Sequence, residues 1–368
     1  MKQLFIKLFI LSLVLTAYVL DPPDGRAQTG PKPEEMTIDA ALRTEVVDLL
    51  LKELNNRYVF PETAKQMETN LRQRIQNKEY DAITSAAEFA KKLTADLQSV
   101  SHDKHLNVRF VPNGIPANLR SEPTAEEKAE YENFLRRVNY GFERVERMPG
   151  NIGYIKLNNF AEAEPGAETV AAAMNFVTNT DSLIFDLRDN GGGEPAMVAL
   201  ICSYLFGDKP VHLNDLYYRE GGRIEEYWTK PTVAGKKYGD KDVYVLTSNR
   251  TFSGAEEFAN NLKVLKRATI VGETTGGGAN PGEAFPLGKY FGVFIPTGRA
   301  VNPITKTNWE GTGVEPDVKV SRDLALKTAY LTALNKSLEK AKDENFKRGL
   351  REVIDRTQKE IEAMKIKN

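Results

Sequence analysis

Val243-Tyr-Val-Leu-Thr-Ser-Asn-Arg-Thr-Phe-Ser-Gly-Ala-Glu-Glu-Phe258 begins as a strand-forming run and turns helix-forming within a few positions. Open α/β sheets carry their chemistry at the carboxyl ends of strands, where such a turn falls. Ser253, at the start of the helix-like half, is therefore a candidate nucleophile. It also fits a second role, because Ser253-Gly-Ala-Glu256 has the spacing of a capping box, in which serine and glutamate satisfy helix-end amides reciprocally.

A second strand-to-helix turn lies upstream, in Asp186-Leu-Arg-Asp-Asn190-Gly-Gly-Gly193-Glu-Pro195. Pro195 suits a first helical turn, where its missing N–H costs nothing. Three glycines let the backbone bend sharply and turn amides toward open space. Amides at a helix start stabilise negative charge, including the oxyanion of an acyl-transfer intermediate. A plain turn is the competing reading. A phosphate loop is disfavoured, since no Lys-Ser/Thr follows the glycines and no G-x-G-x-x-G pattern is present.

A serine hydroxyl needs a base, and the chain has three histidines. His212 follows Pro210 in a loop-like stretch and reads as a surface residue. His102 and His105 share Ser101-His-Asp-Lys-His-Leu-Asn-Val-Arg-Phe110. His105 is favoured because it directly precedes the alternating Leu106, Val108 and Phe110, so a rigid strand would hold it. With one cysteine and three histidines no metal site of Cys/His spacing is available, and no cofactor is expected. Cys202, inside the apolar run Met197–Phe206, reads as a small buried hydrophobe. The 50 basic and 51 acidic residues nearly cancel, so nothing argues for nucleic acid or an anionic membrane surface as the main partner, and neither is expected.

The remaining chain predicts an α/β protein. Lys2 and Lys7 precede the apolar run Leu8–Leu20, which is short for a bilayer span but suits a signal-peptide core, with small residues near Ala27 for cleavage. Residues 1–27 are thus expected to be a signal peptide, with an uncleaved anchor as the alternative, and the mature chain to be exported without stable membrane insertion. Residues 28–36 read as a linker rich in proline and charge. Residues 37–100 predict a small bundle of three helices, the first capped by Thr37 and the second starting after the break at Phe60-Pro61. Residues 115–150 are charged and partly helical. From Gly150 onward strand-like runs at 152–157, 182–188, 242–246 and 268–272 alternate with helices at 195–206 and 254–265, which argues for βαβ units in a core spanning 101–320. Residues 321–368 are helical and highly charged.

These motifs, taken in order, carry a family resemblance. Asp103-Lys-His-Leu106, Asp186–Gly193, Thr251-Phe-Ser-Gly-Ala-Glu-Glu-Phe258, Val271-Gly-Glu-Thr-Thr-Gly-Gly-Gly278 and Glu310-Gly-Thr-Gly-Val-Glu-Pro-Asp317 resemble the S41 peptidases. Within them the chain is most similar to the branch of the tricorn core protease and the interphotoreceptor retinoid-binding protein repeats. The resemblance implies a crotonase/ClpP-like α/β core with a helical N-terminal domain. It implies Ser253 as nucleophile, His105 as general base, Gly193 and Gly254 as oxyanion-hole amides, and Glu310 as the acidic member of the catalytic set. Two departures stand out. The carboxyl-terminal processing branch uses a Ser–Lys pair and a PDZ domain, whereas Gly278 stands at the lysine position here and no stretch has room for a PDZ domain. Lys104 stands where tricorn has a serine that links histidine to glutamate, and it cannot accept from an imidazole.

The implied activity is a serine endopeptidase or oligopeptidase acting on exported peptides or proteins. The alternative is an exported binding protein for apolar ligands or peptides, as in the retinoid-binding relatives. Keeping Ser253, His105 and Glu310 together argues for the enzyme. An acyl-CoA enzyme of crotonase type would call for a basic patch near the glycines, which Glu194-Pro195 does not supply. Tyr217, Tyr218 and Trp228 read as core or surface aromatics, with cleft lining as the alternative.

Overall fold

A computed structural model describes residues 36–116 and 123–367. The expected signal peptide and nearly all of the expected linker lie outside the described residues. No helix among the described residues is long and apolar enough to cross a membrane. The chain separates into two compact units. The first comprises the described part of Met1–Asn133 with Tyr217–Ile224 and Asn280–Arg299, and the second comprises Phe134–Leu216, Glu225–Ala279 and Ala300–Asn368.

In the first unit, helices α1 (Ala40–Arg57), α2 (Pro61–Gln76) and α3 (Ala86–Ser101) lead into strand β1 (Asn107–Phe110). Helix α1 is capped by Asp39, whose carboxylate accepts from the Leu42 N–H at 2.8 Å. The expected cap, Thr37, instead forms a bridge with Ser85, because the helix starts two residues later than its hydroxyl could serve. Pro61 occupies the first turn of α2, where its fixed φ is already helical. β1 pairs antiparallel with β10 (Phe291–Pro296), which pairs with β9 (Gly282–Pro286). Leu50, Leu54, Met67, Leu71, Phe89 and Leu93 fill the core, together with Phe291 and Val293 from the sheet. The late strands were invisible to helix or strand periodicity in the sequence, since their short runs hold glycine and proline.

The second unit is built on a six-stranded mixed sheet in the order β12-β8-β7-β4-β3-β2. Its members are β2 (Phe142–Met148), β3 (Ile152–Leu157), β4 (Ser182–Asp186), β7 (Asp242–Thr247), β8 (Thr269–Gly272) and β12 (Val318–Lys319). β2 runs antiparallel to β3, and the other pairings are parallel. The strand β2 falls in the stretch expected to be only charged and partly helical; it lies at the sheet edge, with Phe142 buried and Glu143, Arg144 and Arg147 exposed.

Successive residues of β4 and β7 face opposite sides of the sheet. Ile184, Tyr244 and Leu246 pack under the C-terminal helices α8 (Arg322–Lys340) and α9 (Glu344–Lys367). On the other side Phe185 meets Phe258 edge-on at 5.2 Å, and Phe258 also meets Phe160 at 5.6 Å. Phe258 belongs to α7 (Gly254–Val264), so this aromatic cluster seats on the sheet the helix that begins after Ser253. Replacing Phe258 with Ala is expected to lower unfolding free energy by about 3–5 kcal/mol, measured by urea titration followed by circular dichroism.

Candidate active site

Ser253 sits between β7 and α7, with φ +53° and ψ −122°. An ordinary N-cap residue is extended with negative φ. A non-glycine residue in this conformation carries strain on the order of 1–3 kcal/mol and persists only where its surroundings hold it. Those surroundings are polar and buried. The Thr251 hydroxyl donates to the Leu187 carbonyl at 2.8 Å, and the Ser248 hydroxyl donates to the Arg188 carbonyl at 2.5 Å. The Phe252 N–H donates to the Asn190 carbonyl at 3.1 Å. Together they fasten the serine turn to the end of β4.

Glu256 completes the fastening. The half of the capping box expected from it is made, with its carboxylate accepting from the Ser253 N–H at 2.9 Å. The same fully buried carboxylate also accepts from Gly277 N–H at 2.6 Å, Gly278 N–H at 2.8 Å and the Thr275 hydroxyl. Burial pushes its pKa above the usual carboxylate value, and these hydrogen bonds pull the other way. The spacing of Ser253 and Glu256 signalled only the local box; the Gly277 and Gly278 amides come from about twenty residues downstream, which no short-range pattern shows.

The glycine turn lies against the serine. A Cβ on Gly192 would meet Ser253 Cβ and Gly254 N at 2.7 Å each, and one on Gly254 would lie 3.1 Å from Gly193 N. Gly193 has φ +135°, and a Cβ there would stand 2.1 Å from the Phe160 carbonyl oxygen. The backbone path is thus closed to any larger residue. Gly254 is the first residue of α7, so its N–H is one of the four at a helix start without an intrahelical acceptor. Buried Asn190 shapes the turn, accepting from Gly192 N–H and donating to the Leu157 carbonyl, both at 2.8 Å. In the sequence Asn190 stands out only as part of the glycine motif.

Glu310 lies in a turn of the same unit and accepts from the Ala279 N–H at 2.6 Å. Neighbouring bonds, Trp309 Nε1 to the Gly278 carbonyl at 2.8 Å and Gly311 N–H to the Gly277 carbonyl at 3.0 Å, lay its turn along residues 277–279. The loop that binds Glu256 therefore also binds Glu310. The second unit brings Ser253, Gly193 and Gly254 together, with Glu310 tied to them through this loop.

His105 belongs to the first unit. Its ring stacks near that of Phe294, with centroids 6.0 Å apart at 28°. Its backbone N–H donates to Asp103 Oδ1 at 3.0 Å, and its Nδ1 lies 4.0 Å from the same oxygen. Burial lowers the His105 pKa from 6.5 to about 4, so the imidazole is neutral near pH 7 and able to accept a proton. His102, the other candidate in this stretch, closes α3 in a left-handed conformation with φ +56°. His212 is not a loop residue. It opens strand β5 (His212–Tyr218), bonds Asp215 at 2.6 Å and stacks on Trp228 with centroids 4.0 Å apart, so it is half-buried. Trp228 is half-exposed at the end of β6 (Ile224–Trp228).

In the second unit two strand-to-helix turns thus set a serine of strained backbone against a triple-glycine turn. The model of "Peptidase family S41" matches residues 151–320, and that of the N-terminal domain of the same family in eukaryotic interphotoreceptor retinoid-binding protein matches residues 37–138. The chain belongs to peptidase family S41. It is 29% identical over 183 residues to the chloroplastic carboxyl-terminal-processing peptidase 1 of Arabidopsis thaliana, covering 50% of this chain and 36% of the relative. It is 27% identical over 190 residues to a carboxy-terminal-processing protease of Bartonella bacilliformis, covering 48% and 41%. The chain thus spans well under two thirds of these relatives. A crystal structure from Parabacteroides merdae, described as a candidate peptidase, shares the fold at a TM-score of 0.56 and 19% identity, over 82% of this chain and 99% of that one.

Two outcomes follow from this geometry. Below pH 6.5 the unfolded chain protonates its histidine while the buried His105 stays neutral until about pH 4. Stability contributed by His105 is therefore complete above pH 6.5 and is lost as pH falls toward 4, by up to roughly 3 kcal/mol. Urea titrations from pH 4 to 8 should show a shallower acid slope for His105→Asn than for the wild type. Gly193→Ala, which drives a methyl group into the Phe160 carbonyl, is expected to lower Tm by several degrees or prevent folding, read by thermal scanning.

Proposed function

We propose that the chain is a serine peptidase acting on peptides or proteins outside the cytoplasm. Ser253 is the nucleophile, His105 the general base, Gly193 and Gly254 the oxyanion donors, and Glu310 the acidic member. The observation that carries this reading is the strained Ser253 backbone, held by buried groups beside the glycine turn. A helix cap alone needs no such strain, and an ordinary extended serine would serve it.

In the reaction Ser253 Oγ bonds to the scissile carbonyl carbon as its proton passes to the His105 imidazole. The Gly193 and Gly254 N–H groups receive the oxygen's developing charge, a contribution worth on the order of 100-fold or more in turnover per donor. The imidazolium returns the proton to the leaving amine as the C–N bond breaks, and water then cleaves the acyl-enzyme by the same route. A lysine base is not available in this scheme, because Gly278 occupies the position that carries it in the carboxyl-terminal processing branch. The Gly278 N–H is instead engaged by Glu256.

A fluorophosphonate probe should label the wild type and leave Ser253→Ala unlabelled. Hydrolysis of a mixed peptide library should fall to background in Ser253→Ala and by at least 100-fold in His105→Ala. Equal, negligible hydrolysis by wild type and Ser253→Ala would replace the enzyme reading with that of an exported binding protein.

A further inference from the structure

We propose that Asp103 is the positioning residue of the proton-transfer step, its buried carboxylate fixing the His105 ring and balancing the imidazolium that forms during turnover. The inference rests on the reading of His105 as the base, and it goes beyond the residues that the family resemblance supplies. Asp103 lies two residues before His105 and in the same unit, and its side chain is almost completely buried. Both carboxylate oxygens are occupied. Oδ1 accepts the His105 backbone N–H at 3.0 Å and faces Nδ1 at 4.0 Å. Oδ2 accepts from the Tyr58 hydroxyl at 3.2 Å and from Asn280 Nδ2 at 2.9 Å. Tyr58 follows α1 and Asn280 precedes β9, so two distant parts of the unit hold the carboxylate against rotation.

A turn by itself would not need this arrangement. An asparagine caps the N–H two residues on as well as an aspartate does, and without bringing a charge into the interior. Burial accordingly pushes the Asp103 pKa up, opposed by Asn280, the His105 N–H and Tyr58. A buried carboxylate beside a neutral imidazole is unfavourable in the resting protein and becomes favourable once the imidazole takes a proton. That differential is what a catalytic base requires of its neighbour. Phe294 lies over the ring face with centroids 6.0 Å apart, and Asp103 Oδ1 lies 4.0 Å from its Nδ1 edge. Lys104, which cannot accept a hydrogen bond, leaves this task to its neighbour in sequence.

The test is Asp103→Asn, which keeps the turn and the shape while removing the charge. The Asn280 amide can rotate to offer its oxygen, so the fold should persist, as circular dichroism will register. The expected result is a fall in kcat on the order of 100-fold or more, with KM changed less than threefold. Imidazole 15N resonances should show the His105 pKa displaced downward, because the stabilising anion is gone. Tyr58→Phe keeps the charge but frees one side of Oδ2, and should lower kcat by a smaller factor while leaving the His105 titration in place. Wild-type kcat in Asp103→Asn, or a His105 titration identical to the wild type, would overturn the proposal. The base reading fails separately: if His105→Asn retains turnover while Ser253→Ala loses it, proton transfer does not pass through His105 at all.

Discussion

One buried carboxylate holds the candidate nucleophile in place. Glu256 lies in the first turn of a helix, which favours its charge, yet it is removed from water and depends on neighbouring donors. It draws them from the Ser253 amide and from Thr275, Gly277 and Gly278. Each bond to an ionised group is stronger than a neutral one and leaves an expensive deficit when broken. The serine turn and the glycine loop at 275–278 are thereby tied to one group. The strained φ of Ser253 is the local expense of that tie, and the aromatic seating of α7 on the sheet supports it from below.

The same economy of polar groups recurs at the glycine turn. Asn190 has no exposed surface and uses both ends of its amide as well as its carbonyl to join the end of β3, the Gly192 amide and the segment before Ser253. Asp186 and Arg188 of the same motif face elsewhere. They pair at 2.6 Å, with Tyr154 donating to Asp186 at 2.7 Å and Arg188 donating to the Arg322 carbonyl at 2.9 Å. Part of the motif therefore fastens the start of α8, and Asn190 with the glycines shapes the candidate oxyanion site. A pattern that reads as one signal in sequence divides into two structural tasks.

The first unit solves a different problem, that of keeping an imidazole neutral and oriented. Burial does the former, and for the latter we propose Asp103, whose carboxylate Tyr58 and Asn280 hold beside the ring. With its pKa lowered to about 4, the imidazole carries no charge near pH 7.

Periodicity alone located the three N-terminal helices, the four principal parallel strands and the C-terminal helices, because each buries a regular face over enough residues for the period to show. The glycine turn and Ser253 were legible for the same local reason, as abrupt changes from strand to helix texture at Asn190 and Ser253. Thr37 lost the cap to Asp39, and His212 proved to be a strand residue, since both depend on where an element begins, which neighbours decide. The short strands β9 and β10 escaped notice because glycine and proline interrupt them and only their partners give them order. Tertiary structure alone decided that Glu256 reaches Gly277 and Gly278, that Asn190 joins three segments, and that Tyr58 and Asn280 meet at Asp103. Most of those bonds link residues from 21 to 177 positions apart, and a buried polar group takes whichever partner the packed chain brings to it.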